Sequence, residues 1–90
     1  MLQITVKIKG IDYKLPDPQN EKKIPRLKQI EKDIKAKFEP VFKAYPDAKV
    51  FVLVDGDKPN LAVKYISTNY TIQEIAAILH QSGGIQSNLN

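Results

Sequence analysis

The sequence predicts an α+β fold with two layers, in which a four-stranded mixed sheet carries one long and one short helix. Two pairs of short segments alternate between apolar and polar residues, and two other segments repeat apolar residues every three or four positions. The order is β-β-α-β-β-α, and 90 residues form one domain. Because strand–helix–strand connections are right-handed and parallel, we expect strand order 2-1-3-4. We assign residues 1–82 to the domain and residues 83–90 to a flexible C-terminal tail.

The N-terminal segment predicts a β-hairpin. Residues 2–9 alternate strictly between apolar and polar side chains, which is the period of a half-buried strand. Gly10 supplies the turn, and residues 11–15 alternate again as the returning strand. Pro16 and Pro18 then end this strand, because proline donates no hydrogen bond to a ladder.

The long helix is predicted between Asn20, a favourable N-cap, and Tyr45, after which Pro46 ends it. Pro40 lies inside this segment, so we expect a kink or a short break there. Apolar residues at helical spacing form one stripe along the segment. The stripe consists of Ile24, Leu27, Ile30, Ile34, Phe38, Val41, Phe42 and Tyr45.

The second half predicts another hairpin and the short helix. Residues 50–54 are an unbroken apolar run, which indicates a strand covered on both faces. A turn at 55–60 leads to a return strand at 61–66. Thr71 and Glu74 match the capping box that opens a helix. This helix either packs beside the long helix or covers the opposite face of the sheet. In the first case, a dimer would cover the opposite face.

Composition excludes several classes of protein. The chain has no cysteine, so it forms neither disulfides nor thiolate metal sites. The N-terminus lacks the continuous apolar segment of a secretory signal, and no apolar stretch is long enough to span a membrane. We therefore expect a cytoplasmic protein without a membrane partner, and we identify no cofactor, metal site or small-molecule substrate.

The net charge is +4, and the long helix accounts for it, with eight basic and four acidic residues between positions 20 and 45. A basic helix face binds a nucleic-acid backbone. The candidate nucleic-acid-binding residues are Lys22, Lys23, Arg26 and Lys28. Three acidic–basic pairs at i, i+4 spacing favour a solvated helix surface instead. These pairs are Glu31–Lys35, Asp33–Lys37 and Glu39–Lys43.

Few residues suggest catalysis or metal binding. Asp55 and Asp57 supply two carboxylates, too few for a calcium loop, and such residues are typical of turns. His80 is the only histidine and falls at a helix end, without a recognisable carboxylate or nucleophile beside it. Tyr13 and Tyr65 are flanked by lysines and could stack bases, but their strand register favours the core.

Residues 71–79 resemble the first helix of a helix-turn-helix, but too little chain follows for a recognition helix. We therefore expect a non-enzymatic small binding or regulatory module that acts through protein–protein interaction, on its sheet or its exposed helix, with a homodimer as one form of that interaction. The alternative is a nucleic-acid-binding protein that uses the basic face of the long helix. A third hypothesis, a small enzyme, requires a pocket around His80 or Asp55.

Overall fold

A computed structural model of the chain describes residues 1–58 and 62–81. The predicted C-terminal tail at 83–90 lies outside the described residues. The elements confirm the predicted order, with a short extra helix before the long one. They are β1 (Leu2–Ile8), β2 (Ile11–Leu15), α1 (Pro18–Lys23), α2 (Pro25–Ala44), β3 (Val50–Asp55), β4 (Ala62–Ser67) and α3 (Ile72–Gln81).

The four strands form one mixed sheet in the order β2-β1-β3-β4, as predicted. β1 and β3 are parallel and central, and the two outer pairs are antiparallel. The connection from β1 to β3 passes through β2 and the helices α1 and α2. Parallel strands need a crossover of this length, which explains why the long helix lies between the two hairpins in the sequence.

The core lies between α2, α3 and one face of the sheet. Side chains from alternate positions of β1 and β3 meet the apolar stripe of α2. α3 contributes Ile75 and Leu79, both buried, and packs against α2 and β4. The short helix therefore joins the long one on the same face. No helix formed by residues 1–58 and 62–81 is long and apolar enough to cross a membrane.

The start of the helical region differs from the prediction. The first N-cap is Asp17, whose carboxylate accepts a hydrogen bond from the amide of Asn20, while Glu21 accepts one from the amide of Asp17. The chain then leaves helical geometry at Ile24, with φ −126° and ψ 87°, and α2 begins at Pro25. A residue before proline is sterically displaced from the α region, so Pro25 ends one helix and opens the next.

Pro40 lies within α2, and the helix continues through it to Ala44 without the predicted break. Proline at this position removes the hydrogen bond to the carbonyl of Ala36. Ala36 is exposed, so water can hydrate that carbonyl, whereas the buried residues Phe38 and Val41 hold the helix on the core.

Two loops at one end of the sheet are joined by hydrogen bonds. Lys9 and Gly10 both have positive φ, 52° and 79°, which gives a tight two-residue turn between β1 and β2. The carboxylate of Asp57 accepts a bond from the Lys9 amide at 2.9 Å. Gly56 donates its amide to the carbonyl of Lys7 at 2.8 Å. The turn residues after β3 therefore brace the first hairpin.

Candidate interaction surface

The strands place a second set of side chains on the face of the sheet away from the helices, which we call the outer face. It follows from the alternation of each strand and from the register between the strands. The outer face comprises Gln3, Thr5, Lys7, Asp12, Lys14, Phe51, Leu53, Asp55, Ala62, Lys64 and Ile66.

These residues form three rows across the strands, because the register aligns them side by side. The first row, nearest the N-terminus of β1, is Gln3, Phe51 and Ile66. The middle row is Lys14, Thr5, Leu53 and Lys64. The third row, beside the two tight loops, is Asp12, Lys7, Asp55 and Ala62. The outer face is thus apolar at one end and charged at the other.

The apolar part of the outer face is open to solvent. Leu53 is 48% exposed and Ile66 is 60% exposed, although Leu53 lies in the central strand β3. Together with Phe51 they line a groove of about 320 Å³. The helices cover only the other side of this strand. We predicted that both faces of this strand are covered. Among the described residues, the inner face is buried as predicted, whereas the outer face is open to solvent.

The charged part of the outer face borders a second groove of about 400 Å³. Lys7, Lys64 and Lys58 supply its cations, and Asp12 and Asp55 supply its anions. Asp55 also accepts a hydrogen bond from the amide of Asp57 at 3.0 Å, which fixes the turn after β3. Both signs of charge therefore lie close together, beside Leu53.

The basic residues of the helices are divided between two sides of α2. Lys22 and Lys28 line one groove of about 410 Å³, next to Glu21 and Glu31. Arg26 lies elsewhere, and its guanidinium donates to the carbonyl of Lys58 at 3.4 Å. Lys23 is exposed on α1. The structure thus brings Lys22 and Lys28 together and separates Arg26 from them.

Acidic residues accompany the basic ones along α2, as the sequence predicted. Glu31, only 9% exposed, pairs with Lys35 at 3.1 Å. Glu39 pairs with Lys43 at 3.5 Å. Asp33 accepts a hydrogen bond from the side-chain amide of Gln29 at 2.9 Å, and the predicted ion pair with Lys37 does not form. From Glu31 onward the surface of α2 carries both signs of charge, whereas its first turn has no acidic residue.

The candidate catalytic and metal-binding residues are dispersed. His80 is exposed in the last turn of α3. Asp55 and Asp57 accept backbone hydrogen bonds within the loops, which is the role that their turn context predicted. Within 1–58 and 62–81, no three His, Cys, Asp or Glu residues come together as a metal site.

The tyrosines lie away from the outer face. Tyr13 and Tyr65 pack against the core, and Tyr65 meets the ring of Phe38 edge-on at 5.4 Å. Burial raises the pKa of Tyr65. Tyr70 stacks on Tyr45 at 4.3 Å. The expectation that strand tyrosines belong to the core is confirmed for Tyr13 and Tyr65.

Tyr70 belongs to a polar cluster that closes the end of the sheet opposite the tight loops. Its hydroxyl donates to the carboxylate of Asp47, and this bond is the main reason that the pKa of Tyr70 is raised to about 12. Asn69 donates its side-chain amide to the carbonyl of Asp47 and accepts from the amide of Lys49. The chain entering β3 is thereby tied to the chain leaving β4.

Sequence reasoning missed the aromatic residue that does reach the outer face. Phe51 lies inside the apolar run 50–54, which we interpreted as covered on both sides. The alternation in the neighbouring strands could have identified it. Val50 and Val52 lie beside Leu2 and Ile4 of β1, so Phe51 and Leu53 occupy the opposite face.

Comparisons with known proteins give no relative: no family model, no curated protein and no solved structure matches this chain. The geometry of the chain itself is therefore the basis for a functional proposal.

Proposed function

We propose that this chain is a small non-enzymatic binding module that acts through protein–protein interaction at the outer face of its sheet. The observation that carries the proposal is the exposure of Leu53 and Ile66, 48% and 60%, on two adjacent strands. The proposal includes a regulatory role, in which the chain acts by binding its partner.

The apolar residues of the outer face are neighbours rather than scattered. Phe51 lies directly opposite Ile66, and Leu53 lies two positions further along β3 on the same face. Single exposed apolar residues are normal on a protein surface, but contiguous groups with polar borders mark interaction sites. Covering such a group gains roughly 25 cal/mol for each Å² of apolar surface removed from water.

The charged residues around this group support recognition of a protein surface. Lys64 lies beside Leu53 and next to Ile66, and Asp55 is the next residue after Leu53 on the same face of β3. An interface with an apolar centre and a polar rim has this composition. The lysine stems also contribute apolar area, because only the end of the side chain carries the charge.

Retention of partner proteins by the immobilised chain tests this proposal. We would compare the wild-type chain with Ile66→Glu on the outer face and Ile72→Glu on α3, using an extract of the native cells. Ile72 is 47% exposed and lies outside the outer face, so it is the matched control. We expect proteins that bind wild type and Ile72→Glu but not Ile66→Glu. Identical retention by all three chains would contradict a role for the outer face.

Nucleic-acid binding through the helices is the second candidate. One observation favours it: Lys22, Lys28 and Lys35 line the same groove. Binding there would weaken steeply with salt, because each phosphate contact releases counterions. Glu21 and Glu31 line the same groove, and their negative charges weaken the binding of phosphate groups there.

Fluorescence anisotropy with random single- and double-stranded oligonucleotides tests the second candidate at low and physiological salt. The test variant reverses the four candidate charges, Lys22, Lys23, Arg26 and Lys28, to glutamate. The control reverses the exposed Lys37, which helical spacing places on the side of α2 opposite Lys28. Salt-sensitive binding that only the fourfold variant loses would support a basic-helix site. Absence of binding, or binding that survives the four changes, would exclude it.

A further inference from the structure

We infer that the occupant of the outer face is a second copy of this chain, packed face to face about a two-fold axis. This inference rests on the proposed function and names the partner. In the arrangement that we propose, the axis runs parallel to the strands, between β3 and β4. Each copy then places its β3 over the β4 of the other copy.

The register within one chain determines which residues meet in this dimer. Phe51 and Ile66 lie side by side in one sheet. A two-fold axis between β3 and β4 therefore places Phe51 of each copy over Ile66 of the other copy. Four apolar side chains, two from each copy, thus come together at the centre. Leu53 correspondingly meets the aliphatic stem of the partner's Lys64.

The charges of the outer face complement one another in the same arrangement. Lys64 lies over β3 of the second copy, one row away from the partner's Asp55. A lysine side chain is long enough to reach a carboxylate in the adjacent row of a sheet. Two equivalent Lys64–Asp55 pairs therefore form across the axis. Ala62, small and exposed, stands over each Asp55 and leaves space for the contact.

The distribution of net charge also favours this face for self-association. The chain as a whole has a charge of +4, which opposes the meeting of two copies. The outer face contains three lysines, Lys7, Lys14 and Lys64, and two aspartates, Asp12 and Asp55, so its net charge is only +1. The excess positive charge lies on the helices, which point away from each other in a face-to-face dimer.

The size of the molecule limits the area of such a dimer interface. The chain measures 35 × 30 × 18 Å, and the shortest dimension is that of a sheet and one layer of helices. Its broad side, 35 × 30 Å, has a projection of roughly 1,000 Å² as an upper limit, whereas a standard interface buries about 800 Å² on each partner. A footprint limited to β3, β4 and their borders lies below that value. We therefore expect a reversible dimer rather than a permanent one.

Sedimentation equilibrium on the full chain tests the inference between about 10 µM and about 1 mM, the range of dissociation constants expected for a small interface. The average mass should rise with concentration from 10.2 kDa towards twice that value. Ile66→Glu and Lys64→Glu should each weaken association about tenfold or more. The controls Ile72→Glu and Lys32→Glu, on exposed positions of the helices, should associate like wild type. Circular dichroism confirms that each variant is folded, and Lys64→Glu removes no apolar contact of the core.

The outcomes distinguish this inference from the proposed function. A wild-type mass that stays at 10.2 kDa up to about 1 mM would overturn the second copy as occupant. A dimer that Ile66→Glu and Lys64→Glu leave intact would overturn it as well. Retention of a different protein in an Ile66-dependent manner would then still support the proposed function. If Ile66→Glu changed neither the retention of partner proteins nor the average mass in sedimentation equilibrium, both proposals would be refuted.

Discussion

Phe51 and Ile66 lie opposite each other in adjacent strands, on the face of the sheet that neither α2 nor α3 covers. Their neighbours in sequence, Val52 and Tyr65, form the equivalent pair on the inner face, where the helices bury Val52 and pack against Tyr65. One hairpin thus presents an apolar pair to each side of the sheet. The inner pair belongs to the core, and the outer pair is the basis of the functional proposal.

The exposed position of Ile66 predicts that its replacement has little effect on the stability of the monomer. Ile66→Thr keeps a β-branched residue in the strand, so we expect a change within about 0.5 kcal/mol in the free energy of unfolding. Phe38→Ala removes a fully buried ring and should cost about 3–5 kcal/mol. Urea denaturation at low protein concentration measures both. A loss of more than about 2 kcal/mol in Ile66→Thr would show that its side chain is buried in the monomer.

The close packing around Gly56 predicts that any side chain at this position destabilises the fold. A Cβ atom there would lie 2.8 Å from Cγ1 of Ile8 and 3.0 Å from the carbonyl oxygen of Lys7. The carbonyl belongs to the backbone of β1 and cannot move independently, so Gly56→Ala should cost about 1–3 kcal/mol. Thermal denaturation measures this loss.

Ile8→Ala provides the control for Gly56→Ala. Removing Cγ1 relieves one of three close contacts and leaves those with the Lys7 carbonyl oxygen and Val6 Cγ1, so the cost of Gly56→Ala should be smaller in the Ile8→Ala background but should not vanish. Full stability of the single variant Gly56→Ala would contradict the close approach of this turn to β1.

The turn at Lys9 and Gly10 predicts a stabilising substitution. Lys9 has φ 52°, a left-handed conformation that is unfavourable for most side chains. Asparagine adopts this conformation more readily and commonly precedes glycine in two-residue hairpins. Lys9→Asn keeps the amide that donates to Asp57, so we expect a gain of about 0.5–1 kcal/mol.

Calorimetry measures this gain as an increase in Tm of several degrees, since about 1 kcal/mol corresponds to roughly 4–8 °C in a domain of this size. The control is Lys7→Asn, which replaces a strand residue beside the same turn and should bring no gain. A decrease in Tm for Lys9→Asn would contradict the positive φ at this position.

The hydrogen bond between Tyr70 and Asp47 predicts a loss of stability at high pH. The pKa of Tyr70 is raised to about 12 in the folded protein, chiefly because its hydroxyl donates to the carboxylate of Asp47. The unfolded value is about 10. A raised folded pKa gives stability that is complete below pH 10 and is lost as the pH rises from about 10 to about 12.

Absorbance of tyrosinate as a function of pH measures this titration. Asp47→Asn removes the charge of the acceptor, so the pKa of Tyr70 should fall towards 10, and Tyr70→Phe should remove the transition. The free energy of unfolding, measured between pH 8 and about 12, should fall less steeply with pH in Tyr70→Phe than in wild type. An unchanged titration in Asp47→Asn would contradict the hydrogen bond.

The order and pairing of the strands could be predicted because each strand alternates clearly and each hairpin has its own turn signal. Thr71 and Glu74 also form the predicted capping box, in which each residue accepts from the amide of the other. These features depend on residues close together in the sequence. Local sequence therefore carries the information needed to identify them.

The beginning of the long helix could not be predicted equally well. Asn20 and Asp17 are both favourable N-caps, and the choice depended on Pro18, which suits the first turn of a helix. Pro25 and Pro40 are both prolines, yet Pro25 begins α2 and Pro40 lies in its interior. The difference arises from tertiary packing, because buried residues on both sides of Pro40 hold α2 against the sheet.

The side on which α3 packs also could not be predicted. The connection after β4 is short and polar, and it permits the helix to lie on either face of the sheet. Ile75 and Leu79 are buried on the inner face, and this choice leaves Phe51 and Leu53 without a covering helix. The candidate site thus depends on tertiary structure, whereas the four candidate basic residues could be identified from charge alone and remain a prediction.

The covering of the outer face by a second copy is tested most directly by amide chemical shifts of the 90-residue chain, recorded as its concentration is increased from about 20 µM to about 1 mM. We predict concentration-dependent shifts at 51–55 and 62–67, and none at 22–28 on the helices. The shifts should disappear in Ile66→Glu and persist in Ile72→Glu. Shifts centred on residues 22–28, or spectra that do not change with concentration, would contradict it.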